Sequence, residues 1–498
     1  MTGPGRLPTK TLLVHFQDID RMISKRFGKF WHLVRLSKKS GMLYTISQQH
    51  EEGIYTIHFN YNLISKLVKG DPDHYFNNPS IETISDMLGQ LYREDRKPLN
   101  IKLLVQSIWS PSLLIADQYT SGSRIFLAGD SCHQVIPTVC KCFLPRSNID
   151  LNCRLSLFLS NTHYVHTHTH THTQGGYGMN SGAADAFELA WRLIYAIKYN
   201  HENSPGLLKS YELERYPVMI KMRDESLRHS RIYNIWSKQF NVNLLDNNDN
   251  YTINKEEAKL HKEEMKKSVE SWENRGENDS LGIEIGYRYC TGKDDNSNFS
   301  KLTTQSPLCI SGANLNVVDK DDMNEPEWNR LNYIPSTYPG CRPPSVWLQT
   351  DSSINIFDSF DGIHFILLRF DQNINIDKFL NIAHERNLPL KVKDINAIEE
   401  PHVTKLYEKK LVMVRPDMIV CWRSNIELDN DIIINNVLEN ILGYGTEALK
   451  CLDKYKNMRN SELLKLKMLK EKRMKGFGGE NKIQSGFSSK DRKRGSRL

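Results

Sequence analysis

Two short stretches of this 498-residue chain carry residue types that suit a ligand site. In Arg124-Ile-Phe-Leu-Ala-Gly-Asp130 the apolar run Ile125 to Ala128 is closed by Gly129-Asp130. Such a run is expected of a strand buried on both faces of an α/β layer. Asp130 then stands just outside the carboxyl end of that strand, where open α/β sheets bind ligands, and its carboxylate is an acceptor for hydroxyl groups. The second stretch, Gly175-Gly-Tyr-Gly-Met-Asn180, leads into a helix. Glycines 175, 176 and 178 let the backbone approach a ligand closely. The helix N-terminus offers unpaired N–H groups and a partial positive charge to an anionic group. A glycine turn alone also serves as a plain connection, so the surrounding elements decide its weight.

The spacing predicts a helix that Asn180 or Ser181 caps, with Asp185 in its first turn, where a negative charge suits the dipole. Ala186, Leu189, Ala190, Leu193, Ile194 and Ile197 form one apolar stripe, with Glu188, Arg192 and Lys198 off it, so the stripe is expected to face the core. A second helix is expected from Ser204 to Tyr233, broken at Pro217. Upstream, Thr11–Phe16, Gly41–Ile46 and Ile54–Phe59 alternate as hairpin-like antiparallel strands, and Ile81 to Tyr92 has helical spacing. Downstream, His364–Phe370, Leu411–Arg415 and Met418–Trp422 read as strands, with a Pro416-Asp417 turn. Asp431 is placed to cap a helix running to Leu442, which Gly443 ends.

Between Pro137 and Gly175 the chain changes character, reaching the alternation His166-Thr-His-Thr-His-Thr-His-Thr173. Cys140, Cys142 and the histidines at 163, 166, 168, 170 and 172 are the usual zinc donors, which allows a metal-binding loop. Strict His-Thr alternation is also what a CA dinucleotide repeat encodes, and untranslated DNA read as protein is the favoured explanation; no metal is assigned. Without the insert, Gly129-Asp-Ser-Cys-His-Gln-Val-Ile-Pro137 joins almost directly to Gly175.

Composition excludes several classes. No run of about 18 uncharged apolar residues occurs, which argues against a membrane span. Met1-Thr-Gly-Pro-Gly-Arg6 has no apolar signal core, and nine irregularly spaced cysteines suit reduced thiols, so a cytoplasmic location is expected. Residues 450–498 hold 16 Lys/Arg against 5 Asp/Glu, a surplus of 11. The other 449 residues carry 50 against 54, a balance of −4. The basicity belongs to the tail, so no nucleic-acid partner is expected.

With the insert set aside, Arg124-Ile-Phe-Leu-Ala-Gly-Asp-Ser-Cys-His133, Pro137 and Gly175-Gly-Tyr-Gly-Met-Asn-Ser-Gly-Ala-Ala-Asp-Ala-Phe-Glu-Leu-Ala-Trp-Arg-Leu193 resemble the second flavin fingerprint of the group A flavoprotein aromatic monooxygenases, the phenol hydroxylase and hydroxyphenylpropionate hydroxylase relatives. The likeness continues through Ser210-Tyr-Glu-Leu-Glu-Arg-Tyr-Pro-Val218. It returns in Tyr338–Leu348, His364–Phe370 and Leu406–Arg423, which look like that family's thioredoxin-like C-terminal domain. The resemblance implies an α/β plus antiparallel β fold: a partial FAD-binding, PHBH-like (p-hydroxybenzoate-hydroxylase-like) domain with a substrate-domain sheet, then the thioredoxin-like domain. The expected layout is 1–110 substrate-domain sheet; 111–137 and 174–233 second half of the FAD-binding domain; 138–173 low-complexity insert; 234–280 polar linker; 281–425 thioredoxin-like domain; 426–498 helix and basic tail.

The resemblance also implies roles. Gly129 and Asp130 match the turn whose aspartate bonds the ribityl chain of FAD, and Pro137 the proline near the flavin ring. Gly175 and Gly176 lead into the turn, where Gly178, Met179 and Asn180 place backbone N–H groups at the pyrimidine edge. In that family NAD(P)H reduces the flavin, O2 forms a flavin C4a-hydroperoxide, and a phenolic or other small aromatic substrate is hydroxylated; a homodimer is compatible with it. The catalytic residues are not identified by this route. His133 reads as a packing or hydrogen-bonding residue, Cys132 as a small buried one, and Trp191 and Trp347 as core. No C-x-x-C occurs in the C-terminal domain, so that domain is expected to be redox-inactive. Lys490–Arg494 reads as part of a solvated end.

The chain departs from the family in two respects, since the family opens with G-x-G-x-x-G and carries an Asp-Gly motif before the substrate-domain strands. No G-x-G-x-x-G occurs, and the only Asp-Gly pair, Asp361-Gly362, lies far downstream. The sequence therefore shows the isoalloxazine half of an FAD site without the ADP half. Weak FAD binding is expected, and a catalytically inactive fragment or degenerate paralogue stands as the alternative to an active hydroxylase.

Overall fold

The computed structural model describes residues 2–6, 10–28, 32–37, 41–48, 53–61, 71–77, 79–92, 97–110, 112–122, 124–135, 155–156, 164–167, 177–241, 260, 263–264, 266–267, 280–289, 306–310, 325–446 and 448–461. The polar stretch 242–259, most of the His-Thr insert and the basic tail lie outside them, as do the expectations made for those segments.

The N-terminal part is built on alternation. After β1 (Thr2–Arg6), strand β2 (Thr11–Asp18) turns Leu12, Val14 and Phe16 inward. Helix α1 (Met22–Phe27) follows, then β3 (His32–Ser37), β4 (Gly41–Gln48) and β5 (Ile54–Asn60). Helices α2 (Pro72–Asn77) and α3 (Ile81–Tyr92) precede the long strand β6 (Ile101–Trp109). Tyr55, Ile57 and Phe59 of β5 join the β2 residues in a core that Phe76, Ile84 and Leu88 cover from the helices. The sheet has seven strands in the order β11-β12-β3-β4-β5-β2-β6, with antiparallel neighbours throughout. Its first two members, β11 (Leu155–Ser156) and β12 (Tyr164–Thr167), come from the insert, whose backbone thus extends the β3 edge.

Strand β7 (Ser112–Ile115) leaves this sheet and sits between β1 and β10 (His133–Gln134) in a three-stranded antiparallel sheet. Between them, β8 (Thr120–Ser121) and β9 (Ile125–Phe126) form a two-stranded hairpin. This corrects the expectation of a doubly buried strand. Ile125 is 61% exposed, and among the described residues no parallel neighbour lies beside β9 to cover it.

Helix α4 (Tyr177–Lys198) and helix α5 (Ser210–Asn241) form the centre. The second helix starts six residues later than expected, runs through Pro217 without a break and continues past Tyr233 to Asn241, into the segment expected to be linker. Proline there removes one backbone donor, yet Leu213, Glu214, Arg215, Tyr216, Val218 and Met219 are all buried around it, and that packing outweighs the lost bond. The apolar-stripe expectation for α4 holds only in part: Leu189 and Leu193 are half-buried, Leu189 against the core, but Ala186, Ala190, Ile194 and Ile197 (the last 76% exposed) are exposed, while Ser181, Asp185, Glu188, Trp191, Arg192 and Tyr195 face inward.

After a short helix α6 (Leu281–Glu284), the C-terminal unit places β13 (Phe365–Arg369), β14 (Leu390–Asp394), β15 (Leu411–Val414) and β16 (Val420–Ser424) in the order β14-β13-β15-β16. β13 and β14 are parallel, joined through α7 (Asp377–Glu385), and the other pairs are antiparallel. Helices α8 (Pro401–Tyr407) and α9 (Asp431–Ile441) flank the sheet. The side chain of Asn430, not Asp431, caps α9 by accepting from Ile432 N–H at 2.9 Å. Gly443 follows with φ +80°, and its carbonyl accepts from Gly206 N–H at 3.0 Å, so the end of α9 seats on the loop before α5. Trp347 is 60% exposed rather than core; only the apolar residues beside it, Val346 and Leu348, pack inward. Trp191 is buried, and its indole donates to Asp417 at 3.0 Å. Among the described residues no helix is long and apolar enough to cross a membrane.

The inward face of α4 docks on the C-terminal unit through charge. Arg192 donates to Glu188 at 2.7 Å and to Glu214, and Arg415 donates two bonds to Glu214 at 2.8 Å each while pairing with Asp417. All five side chains are buried. Breaking a buried pair by removing one partner costs about 3–5 kcal/mol because the other charge is left uncompensated. Arg415→Met is therefore expected to lower unfolding stability in denaturant by about that amount, whereas Lys378→Ala, which opens an exposed pair with Asp431 (2.7 Å), leaves the midpoint unchanged.

Candidate flavin site

The chain reverses direction at Gly129–Ser131, a single 3-10 turn that follows β9. Gly129 has φ +60°, a conformation that suits glycine. A Cβ built on Gly182 of α4 would lie 3.2 Å from the Gly129 Cα, so turn and helix touch backbone to backbone. Asp130 projects outward from this contact. Its carboxylate is exposed and makes no hydrogen bond with the described residues.

Beneath Asp130 lies an acid of the opposite kind. Asp185 is fully buried; its Oδ2 accepts from Gly129 N–H at 3.2 Å and His133 Nε2 at 2.7 Å, and the Cys132 thiol stands 3.5 Å away. Its Oδ1 accepts from Arg215 Nε at 2.7 Å. Burial alone would raise the Asp185 carboxyl, but the His133 hydrogen bond and the Arg215 guanidinium outweigh it and hold it below the usual range. Burial, then the Asp185 charge, pushes the Cys132 thiol well up, so it is a protonated donor at neutral pH. Arg215 continues to the Tyr289 hydroxyl (3.1 Å), which donates to Glu188 (2.7 Å). One buried polar chain thus runs from the turn to the β15–β16 connection.

Helix α4 begins at Tyr177, three residues earlier than expected, so Gly178, Met179 and Asn180 form its first turn. Asp185 consequently sits in the third turn, paired with His133 and Arg215, rather than at the dipole. No acidic residue lies in the first turn, so the positive end of the helix dipole meets no acidic side chain of its own turn. Met179 is 68% exposed and Asn180 is exposed, while a Cβ on Gly178 would meet Val135 at 3.4 Å. The structure therefore brings Gly129 and Asp130 to the helix that Gly178, Met179 and Asn180 begin; Pro137, Gly175 and Gly176 lie outside the described residues. His133 and Cys132 have the structural roles expected of them. The sequence reading missed the Asp185–Arg215 pair. A signal was present: Asp185, Glu188 and Arg192 recur at helical spacing, marking a charged face that can be buried only if it is paired.

Two family matches follow this geometry. Residues 165–226 match the family described as FAD binding domain, and residues 336–444 match the aromatic-ring hydroxylase C-terminal family. The chain is 28% identical over 430 residues to the FAD-dependent monooxygenase apdD of Emericella nidulans, covering 84% of this chain and 56% of that protein. It is 26% identical to the FAD-dependent monooxygenase opdD of Penicillium oxalicum, covering 84% and 67%. Among solved structures, RebC-10x soaked with chromopyrrolic acid and holding 7-carboxy-K252c aligns with a TM-score of 0.58 at 20% identity, over 89% of this chain and 64% of that one. Aklavinone-11 hydroxylase with FAD and aklavinone aligns at 0.55 and 19%, over 89% and 64%. These two share the mixed α/β fold. The chain spans between about half and two-thirds of the length of these relatives.

Because the Asp130 carboxylate makes no hydrogen bond among the described residues, Asp130→Asn is expected to leave the unfolding free energy within about 0.5 kcal/mol of the parent. A larger loss would show that this side chain belongs to the packing.

Proposed function

We propose that this chain, a homologue of FAD-dependent aromatic monooxygenases, holds the isoalloxazine end of FAD and hydroxylates a phenolic or other aromatic substrate with NAD(P)H as electron donor. The observation that carries the reading is the exposed Asp130 carboxylate, without a hydrogen bond among the described residues, on a glycine turn packed against a helix whose first turn holds no acidic residue. The residues fit the group: an exposed carboxylate that makes no hydrogen bond among the described residues and can accept from ribityl hydroxyls, and helix N–H groups suited to an anionic ring edge. FAD, when bound there, supplies the electron transfer and oxygen activation. Asp130 would orient the chain of hydroxyls, and Gly178, Met179 and Asn180 would stabilise negative charge at the ring. Pro137, Gly175 and Gly176 would complete the turn.

The seven-stranded sheet would receive the substrate. Its core face is closed by α1, α2 and α3. Its other face presents Leu13, His15, Thr56, His58 and Trp109 in cross-strand register, with Leu13 opposite His58 and His15 opposite Thr56. His15 Nδ1 and the Thr56 hydroxyl are 2.8 Å apart, and His58 stands edge-on to Trp109 with ring centres 6.0 Å apart. Aromatic edges with a few polar groups suit a planar aromatic ligand. The C-terminal unit, with its parallel β13–β14 pair and no C-x-x-C, would be a thioredoxin-like domain that packs rather than exchanges disulfides.

The alternative reading is a chain without catalytic activity. Titrating the purified protein with FAD separates them. Quenching of flavin fluorescence, followed by NAD(P)H oxidation that a phenolic substrate accelerates, is expected; no flavin binding at micromolar protein would favour the inactive chain. Asp130→Asn is expected to weaken FAD binding about tenfold or more, the worth of one charge-assisted hydrogen bond.

His58 gives an independent handle on the sheet face. Burial lowers its pKa to about 4, so it is neutral at pH 7. Below about pH 6.5 the unfolded chain binds a proton that the folded chain refuses, so stability falls with decreasing pH. The expected slope between pH 6.5 and 4 is about 1.4 kcal/mol per pH unit. His58→Gln should remove that slope; an unchanged pH profile would show that His58 titrates as a solvated residue.

A further inference from the structure

Asp130 is aimed by something other than its own contacts, since its carboxylate makes none with the described residues. The turn that carries it is gripped on both sides. Asp185 Oδ2 takes Gly129 N–H at 3.2 Å on one side of Asp130, and His133 Nε2 at 2.7 Å on the other, with the Cys132 thiol at 3.5 Å between them. Arg215 holds the other oxygen at 2.7 Å. An ionised carboxylate accepts and has no donor, so Oδ2 can take the three groups of the turn while Oδ1 takes Arg215. The same helix carries Gly182 against the Gly129 Cα one turn earlier. Turn and helix are therefore registered at two points.

We propose that Asp185 is the positioning residue of the flavin turn: it fixes Gly129–Ser131 and thereby aims the Asp130 carboxylate at the ribityl hydroxyls, with His133 as the donor that secures the far side. The flavin part of this statement rests on the function proposed above; the hold on the turn does not. Asparagine at 185 cannot replace the acid, because its amide would set a donor against one of the donors already there. A merely structural role would loosen all of α4 and leave Asp130 and Asp185 acting independently.

Amide hydrogen exchange and FAD titration on the full chain test it together. In Asp185→Asn, exchange of the amides from Gly129 to His133 should speed up about tenfold or more relative to those from Glu188 to Ala196. His133→Leu keeps the Asp185–Arg215 pair and therefore folds even if Asp185→Asn does not; it should loosen the same amides. For FAD, Asp185→Asn or His133→Leu should weaken binding, and adding Asp130→Asn should weaken it little further, since both act on one contact. Glu214→Gln, which disturbs a buried carboxylate away from the turn, controls for general loss of stability. Unchanged exchange at 129–133, loosening as great in Glu214→Gln, or additive losses of FAD affinity would each overturn the assignment. If the parent chain binds no FAD, the function proposed above fails and the exchange measurement alone decides whether Asp185 holds the turn.

Discussion

The centre of this molecule is organised by ionised groups that have no access to water. Asp185, Glu188, Arg192, Glu214, Arg215, Arg415 and Asp417 are all buried, and they come from α4, α5 and the connection between β15 and β16. An isolated charge in such a place is prohibitive, so each must find its partner before the core can close. Four acids face three arginines, a formal excess of one negative charge. Burial, and then the neighbouring Asp417, push Glu188 up toward its protonated form, which eases that excess, while Arg415 holds Asp417 below the usual range. The relative placement of the two helices and the C-terminal sheet follows from satisfying this set.

That constraint explains what could and could not be read from the chain. Strand alternation and α3 were legible because their burial is decided locally: Leu12, Val14 and Phe16 face one way whatever else folds around them. Helix α4 misled because the rule that apolar residues go inside assumes that charged ones cannot. Glu188 and Arg192 are inside because Glu214, Arg415 and Asp417 arrive from 22 to more than 220 residues away, and no local window contains them. The two-residue β9 misled in the opposite direction. An apolar run is a buried strand only when neighbours cover it, and the described neighbours cover one side. For the site, Asp130 and the glycines were legible from residue type, whereas Asp185 and Arg215 needed the fold to bring positions 133, 185 and 215 together.

The division of labour between the two ends of the chain is chemical as well as spatial. The C-terminal unit contributes Arg415 and Asp417 to the shared interior, and its cysteines at 341 and 421 are buried, the latter with its thiol pushed far above the usual range by burial. It supplies counter-charges to the central helices. The turn and helix at Gly129 and Tyr177 keep their polar ends outward, where a bound group can use them.

The contact between Gly129 and Gly182 sets how far this arrangement tolerates sequence drift. With only 3.2 Å from a Cβ at 182 to the opposing Cα, even alanine must push the turn aside by a few tenths of an ångström. Such a displacement is too small to expose the core and large enough to misalign a hydrogen bond. Position 182 therefore couples sequence divergence to the geometry of the turn without passing through unfolding: a copy of this sequence can remain folded while the turn, and whatever Asp130 faces, has shifted.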